Sequence, residues 1–204
     1  MKAERMAADS ALIRNAGALW HEATHSPFLD ALAAGTLPAE AFARWLSQDY
    51  LFAQGLTVFQ AMLLAKAPRD CHKPLIGGLA ALDNEMNWFE AHAARLRIDL
   101  RVTPHPACTV YVDYLKDSAT SQPLSVLLAI LYGVEVSYLA AWSALLPSGP
   151  YAEFIERWSS RAFRDYVAAL GDLTERYPHE AAQEQFNMVL LHERDFWKMS
   201  WVDC

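Results

Sequence analysis

The chain has 204 residues, enough for one domain with a sizeable core, and its 53% hydrophobic and 20% charged residues are typical of a globular protein. The formal net charge is −7 and the 17 basic residues form no run, which disfavours nucleic-acid binding because that function requires a basic surface. The three cysteines are widely spaced and form no CxxC pair or disulfide framework, so we expect a reducing compartment and a cytoplasmic protein.

Helical spacing of apolar residues predominates along the chain, and prolines divide it into segments. Residues 1–10 lack the apolar stretch of a signal peptide, so we expect none. In chain order, the predicted helices cover about residues 6–24, 38–67, 74–100, 108–118, 123–146, 151–177 (with a break near Ser159 and Ser160) and 178–201. Polar groups, Glu135 among them, interrupt the longest apolar stretch, so we expect no membrane span. The pattern predicts an all-α fold, a single domain over residues 1–204 built as an antiparallel bundle of about seven or eight helices.

Three predicted helices carry an acid where the apolar stripe requires a core residue. The stripes are Phe42, Trp45, Asp49, Phe52, Leu56, Phe59, Leu63; Leu124, Leu128, Leu131, Glu135, Tyr138, Trp142, Leu145; and Phe186, Val189, Glu193, Phe196, Ser200. Asp49, Glu135 and Glu193 are each followed three residues later by an aromatic ring on the same face. Because a lone buried carboxylate is costly, three of them indicate one shared polar pocket suited to proton transfer. The alternative is that one or more of them face a groove or cap a neighbouring helix.

Three other motifs suggest chemistry that their context does not support. His21, Glu22 and His25 match the HExxH zinc string, but the second histidine stands at a helix end and no third ligand follows, so we expect no metal. His25 could also be a proximal haem ligand, yet Gly133 is isolated in its helix and no glycine-rich distal helix exists, so we expect no cofactor. We interpret Cys108 as a small core residue rather than a nucleophile.

An ordered set of segments extends over nearly the whole chain and resembles the TenA (thiaminase II-like) family. The segments are Leu19-Trp20, His25-Ser26-Pro27-Phe28, Gly35-Thr36-Leu37-Pro38, Phe42 through Tyr50, Pro106 through Tyr111, Leu131 through Tyr138, Trp158 through Phe163, and Glu193 with Phe196-Trp197. The resemblance implies a fold similar to haem oxygenase but without haem, a homotetramer or dimer, and a pocket for a 4-amino-2-methylpyrimidine.

The resemblance also implies roles for individual residues. Asp49 would bind the ring nitrogen and exocyclic amine of the pyrimidine, and Glu193 would be the general acid. The residues that would stack on the ring or border it are Phe52, Tyr111, Tyr138, Trp158 and Phe196. The better-known branch of the family has a nucleophilic cysteine on the fifth helix, where this sequence has Gly133-Val134-Glu135. The chain therefore resembles the branch with glutamate in that place, although Val134 could be the position that aligns with the cysteine.

The glutamate branch implies salvage of damaged thiamin by hydrolysis of 4-amino-5-aminomethyl-2-methylpyrimidine to the hydroxymethyl compound and ammonia, with N-formyl derivatives as further substrates. Phe52 and Trp158 replace tyrosines of the cysteine branch, so we do not expect efficient cleavage of intact thiamin. A cofactorless oxidase similar to the pyrroloquinoline quinone synthesis enzyme is disfavoured because the stripes hold no cluster of Arg and His. A non-catalytic pyrimidine-binding or regulatory protein is disfavoured because no DNA-reading motif exists.

Overall fold

The computed structural model describes residues 10–201, and within that range every regular element is helical. The predicted all-α fold is therefore confirmed. The α-helices are α1 (Ala11–Ala16), α2 (Ala18–Thr24), α3 (Pro27–Ala33), α4 (Ala39–Lys66), α5 (His72–Leu96), α6 (Pro106–Ser121), α7 (Leu124–Ser143), α8 (Ala152–Trp158), α9 (Arg161–Arg176) and α10 (Ala182–Trp201). Short 3₁₀ turns, Arg69–Cys71 and Gly149–Tyr151, precede α5 and α8. The predicted start of the first helix, near residue 6, lies outside the described residues, and so does Cys204.

Local capping explains where several helices begin. The Ser26 hydroxyl accepts a hydrogen bond from the Leu29 backbone N–H (3.3 Å), so Pro27 opens α3 and does not only end the preceding helix. The Ser160 hydroxyl accepts from the Phe163 backbone N–H (3.3 Å), which caps α9 and produces the predicted break at this point.

One predicted helix is divided by a backbone conformation that the apolar pattern does not reveal. Gly17 has a φ of 57°, a left-handed value that favours glycine, and it separates α1 from α2. The additional α3 and this division bring the number of α-helices in residues 10–201 to ten, above the seven or eight expected.

The described part of the chain divides into two compact units, of which the first comprises residues 10–37 and 125–198. Its central element is α7, which is buried on nearly every face. By length and composition α7 could cross a membrane, but 78% of its apolar window is buried inside the protein, and the core helix of a globular protein passes the same test. A Cβ atom at Gly133 would lie 3.2 Å from side-chain carbons of both Phe186 and Val189, so α7 and α10 approach closely there.

Among the described residues, the second unit comprises 38–124 and 199–201. The 28-residue helix α4 packs against both α5 and α6. The buried Gln60 amide donates to the Leu75 carbonyl of α5 (3.1 Å), and the Lys66 ammonium donates to the Ala119 carbonyl near the end of α6 (2.6 Å). A lysine in this place satisfies carbonyls that a helix end leaves without a donor. That the two units form one domain remains a prediction.

Candidate functional site

The three acids singled out by the sequence pattern are all buried. Asp49 is 6% exposed, Glu135 8% and Glu193 5%. They lie on α4, α7 and α10, within helices rather than at their ends. Burial at these levels places each carboxylate in the core environment that the stripes predict.

Four aromatic rings of the first unit form a cluster, which we call the indole cluster: Tyr138, Trp142, Trp158 and Trp197. The Tyr138 ring stacks on Trp197 at a centroid distance of 6.0 Å and meets Trp158 edge-on at 5.3 Å. Trp142 lies 4.8 Å from Trp158 and 6.2 Å from Trp197. Such tilted and edge-on arrangements are the favoured geometries of aromatic pairs. The cluster therefore connects α7, α8 and α10 within the first unit.

Glu135 and Glu193 each share a helix face with members of the indole cluster. Glu135 precedes Tyr138 by three residues and Trp142 by seven, which places it on their face of α7. Glu193 precedes Trp197 by four residues on α10 and shares its face in the same way. Because these rings contact one another, the faces that carry Glu135 and Glu193 converge on one aromatic cluster.

The orientation of α10 is fixed by Trp197. Its indole N–H donates to the Ala23 carbonyl of α2 (3.0 Å) in a buried hydrogen bond, and its ring packs against Phe28 of α3 at 5.7 Å. A buried indole N–H that finds a carbonyl partner both stabilises the core and fixes the ring. Phe196, a predicted substrate contact, precedes this anchored residue and is 5% exposed.

Asp49 has its own aromatic neighbourhood in the second unit. The rings of Phe52 on α4 and Tyr111 on α6 lie 4.6 Å apart, and both side chains are buried. Cys108, one turn before Tyr111, is close enough to Asp49 for the two groups to interact electrostatically. The structure thus brings Asp49, Phe52, Tyr111 and Cys108 together where α4 packs on α6.

The environment of Cys108 opposes a role as nucleophile. Burial raises the pKa of its thiol to about 12, and the charge of Asp49 adds to the effect. Its sulfur donates to the Gln48 carbonyl at 3.5 Å. Because the thiolate is the reactive form, such a thiol is inert near neutral pH. This supports the interpretation of Cys108 as a core residue.

The zinc-like string is engaged in other contacts. The Glu22 carboxylate pairs with Arg194 of α10 (3.4 Å), and His25 lies just beyond the end of α2, where its Nδ1 contacts the Thr24 hydroxyl at 3.0 Å. The rings of His21 and His25 lie 4.0 Å apart. Among residues 10–201, no three His, Cys, Asp or Glu side chains are grouped as a metal site would need.

The roles of two residues near the buried acids, Trp197 and Gln48, were not predicted from the sequence. Trp197 anchors α10, and Gln48 joins α4 to the start of α6. The spacing of four residues between Glu193 and Trp197 was a signal for the first, because it places acid and ring on one face. No sequence signal existed for Gln48, since its partners lie 55 and 57 residues away.

The fold and the buried acids define an all-helical protein with carboxylates set beside aromatic rings. A family model described as TENA/THI-4/PQQC matches residues 13–202, so the chain belongs to this family. It is 29% identical over 201 residues to a Glycine max protein named "Probable bifunctional TENA-E protein", covering 89% of this chain and 88% of the relative.

Solved structures show the same family fold. A TenA homologue from Pyrococcus furiosus has 31% identity and a TM-score of 0.87, with 93% of this chain and 98% of the homologue covered. A protein from Silicibacter sp. TM1040, described as a TenA family transcription regulator, shares the fold at 23% identity with a TM-score of 0.86, covering 94% of this chain and 95% of that one.

Proposed function

We propose that the protein is a thiamin-salvage hydrolase that converts 4-amino-5-aminomethyl-2-methylpyrimidine and water to the hydroxymethylpyrimidine and ammonia. The observation that carries the proposal is the pair of buried carboxylates, Glu135 and Glu193, on helix faces that converge on the indole cluster. The name of the soybean relative, which includes TENA-E, supports assignment to the glutamate branch of the family.

The reaction requires what two carboxyl groups can supply. The bond between the methylene carbon and the amine nitrogen breaks, and a bond from that carbon to an oxygen forms. An amine is a poor leaving group until it is protonated, so Glu193 donates a proton to the departing nitrogen. Glu135 either removes a proton from the attacking water or attacks the carbon itself, in which case water then releases the product. In both routes water supplies the new hydroxyl group and ammonia leaves.

Asp49 is proposed to bind the aminopyrimidine edge. A carboxylate accepts a hydrogen bond from the exocyclic amine, and a protonated ring nitrogen can donate the second bond of a paired interaction. The tilted rings of Phe52 and Tyr111 beside it offer aromatic surface for a flat heterocycle. Tyr138, Trp158 and Phe196 are proposed to border the same substrate; N-formyl aminopyrimidines are proposed as further substrates.

The remaining proposals concern the state of the protein. We propose that it works without a cofactor, as a homodimer or homotetramer in the cytoplasm. We also propose that it binds the small pyrimidine but neither nucleic acid nor a membrane. Size-exclusion chromatography with light scattering distinguishes a dimer or tetramer from a monomer, and a monomer would contradict the proposed oligomeric state.

The test is an ammonia-release assay with the aminomethylpyrimidine and three variants of the purified protein. We expect Glu193→Gln and Glu135→Gln to lose at least about 100-fold in kcat, because each removes a proton-transfer group. The matched control is Glu184→Gln, which changes an exposed acid of α10 and should retain kcat within about two-fold.

Each outcome of this assay has a meaning for the proposal. Full activity of Glu135→Gln would show that its role is assigned wrongly. Pyrimidine binding without any ammonia release by the unmodified protein would contradict the enzyme and favour a binding or regulatory protein. Oxygen consumption without ammonia release would favour an oxidase.

A further inference from the structure

Gln48 is a buried glutamine that uses both ends of its side chain and its backbone carbonyl to hold one short stretch of chain. Its Oε1 accepts from the His105 backbone N–H at 2.8 Å, and its Nε2 donates to the Thr103 carbonyl at 3.2 Å. Its own carbonyl accepts from the Cys108 thiol at 3.5 Å. The side chain is 4% exposed, so water cannot readily replace these bonds.

The stretch that Gln48 holds is the beginning of α6. His105 is the N-cap of this helix, and its Nδ1 accepts from the Ala107 backbone N–H at 3.1 Å. Cys108 and Tyr111 follow on the first two turns, and Tyr111 carries the ring that meets Phe52 at 4.6 Å. A helix is rigid over two turns, so fixing its cap fixes the ring.

We propose that Gln48 is a positioning residue that sets Tyr111 and the first turns of α6 relative to Asp49. Gln48 directly precedes Asp49 on α4, so one helical segment carries both the proposed pyrimidine-binding carboxylate and the group that locates its aromatic neighbour. The consequence for substrate binding rests on the proposed function, whereas the consequence for the position of α6 does not. Gln48 does not touch the substrate; it acts through Tyr111 and Cys108.

The chain offers a matched control for this proposal. Gln60 is also a fully buried glutamine of α4, and its amide also donates to a backbone carbonyl, but that carbonyl is Leu75 of α5. Gln48→Met and Gln60→Met therefore remove the same chemical group from the same helix, and only the first releases α6. A purely structural role for Gln48 predicts that the two variants behave alike.

The first readout is the kinetics of ammonia release. We expect Gln48→Met to raise KM by about ten-fold with kcat within about two-fold, because a misplaced Tyr111 weakens binding without removing a proton-transfer group. Gln60→Met should leave KM within about two-fold. Equal KM values in the two variants would overturn the effect on binding. Gln48→Asn, which introduces no charge and keeps an amide on a side chain one methylene shorter, serves if Gln48→Met does not fold, and should raise KM by about three-fold because the amide no longer reaches both backbone partners.

The second readout does not depend on activity. Iodoacetamide labelling at pH 8, with the modified cysteine identified by peptide mass spectrometry, measures how well α6 protects Cys108. We expect Cys108 to react at least about ten-fold faster in Gln48→Met than in Gln60→Met, because loss of the cap contacts opens the first turn. Equal rates would overturn the positioning role. If the unmodified protein releases no ammonia while the labelling rates differ, the proposed function fails and the positioning role stands.

Discussion

Gly55 is the residue that permits the close approach of α4 and α6. A Cβ atom added there would lie 2.6 and 2.8 Å from the two methyl carbons of Val112 and 3.2 Å from its Cβ. Rotation about χ1 moves the methyl groups but not the Cβ of Val112, so a different rotamer cannot remove the whole overlap. Gly55→Ala therefore requires the two helices to separate.

The expected cost follows from two opposing terms. Overpacking a close helix contact costs about 2–3 kcal/mol when the backbone has to move. Alanine returns about 1 kcal/mol through its higher helix propensity. We expect Gly55→Ala to lower the free energy of unfolding by about 1–2 kcal/mol, or about 3–6 °C in Tm for a chain of this size.

Urea unfolding followed by far-UV circular dichroism measures this loss, and Gly77→Ala provides the control. Gly77 is exposed on α5, and an added Cβ there would meet no atom within 4 Å. Its substitution should stabilise the protein by up to about 1 kcal/mol. A Gly55→Ala protein as stable as the unmodified chain would refute the close packing of α4 on α6.

Two further predictions concern buried groups. Trp197→Phe removes the indole donor from the Ala23 carbonyl and reduces the ring volume. The free energy of unfolding, measured by urea unfolding, should therefore fall by about 2–3 kcal/mol. A fall of less than about 0.5 kcal/mol would contradict the role of Trp197 in fixing α10. Burial raises the pKa of the Cys108 thiol from 9.0 to about 12 in the folded state. Because the thiol ionises more readily in the unfolded chain, its contribution to the free energy of unfolding is fully present below pH 9 and is lost as the pH rises from 9 towards 12. The free energy of unfolding should be about 1 kcal/mol lower at pH 10 than at pH 8. Between these two pH values, the urea midpoint of Cys108→Ala should fall less than that of the unmodified protein. Identical falls in both proteins would count against the buried thiol.

The sequence predicts the long helices well because their stripes and prolines act locally. Pro38 stands next to the start of α4, and the serines at 159 and 160 mark the break between α8 and α9, both as predicted. Pro106, by contrast, is predicted to lie in the loop before a helix that begins at residue 108, whereas in the structure it is the first residue of α6. The boundaries differ by a few residues where a cap decides them. Helix α5 ends at Leu96 instead of Leu100 because Arg97 takes a left-handed φ of 58°.

Which helix faces meet could not be predicted, because that information lies in contacts between distant residues. The burial of Asp49, Glu135 and Glu193 followed from periodicity, whereas the meeting of Trp197 with Tyr138 did not. The α3 helix was missed because the proline that ends one helix also starts the next. Hydrogen bonds such as those of Gln48 leave no periodic trace at all.

A crystal structure with 4-amino-5-hydroxymethyl-2-methylpyrimidine bound tests most directly whether the buried acids bind and convert an aminopyrimidine. We expect a carboxylate oxygen of Asp49 within hydrogen-bond distance of the exocyclic amine, with Glu193 close to the 5-substituent. A ligand that binds away from Asp49, or that places its hydroxymethyl group out of reach of both Glu135 and Glu193, would contradict this expectation.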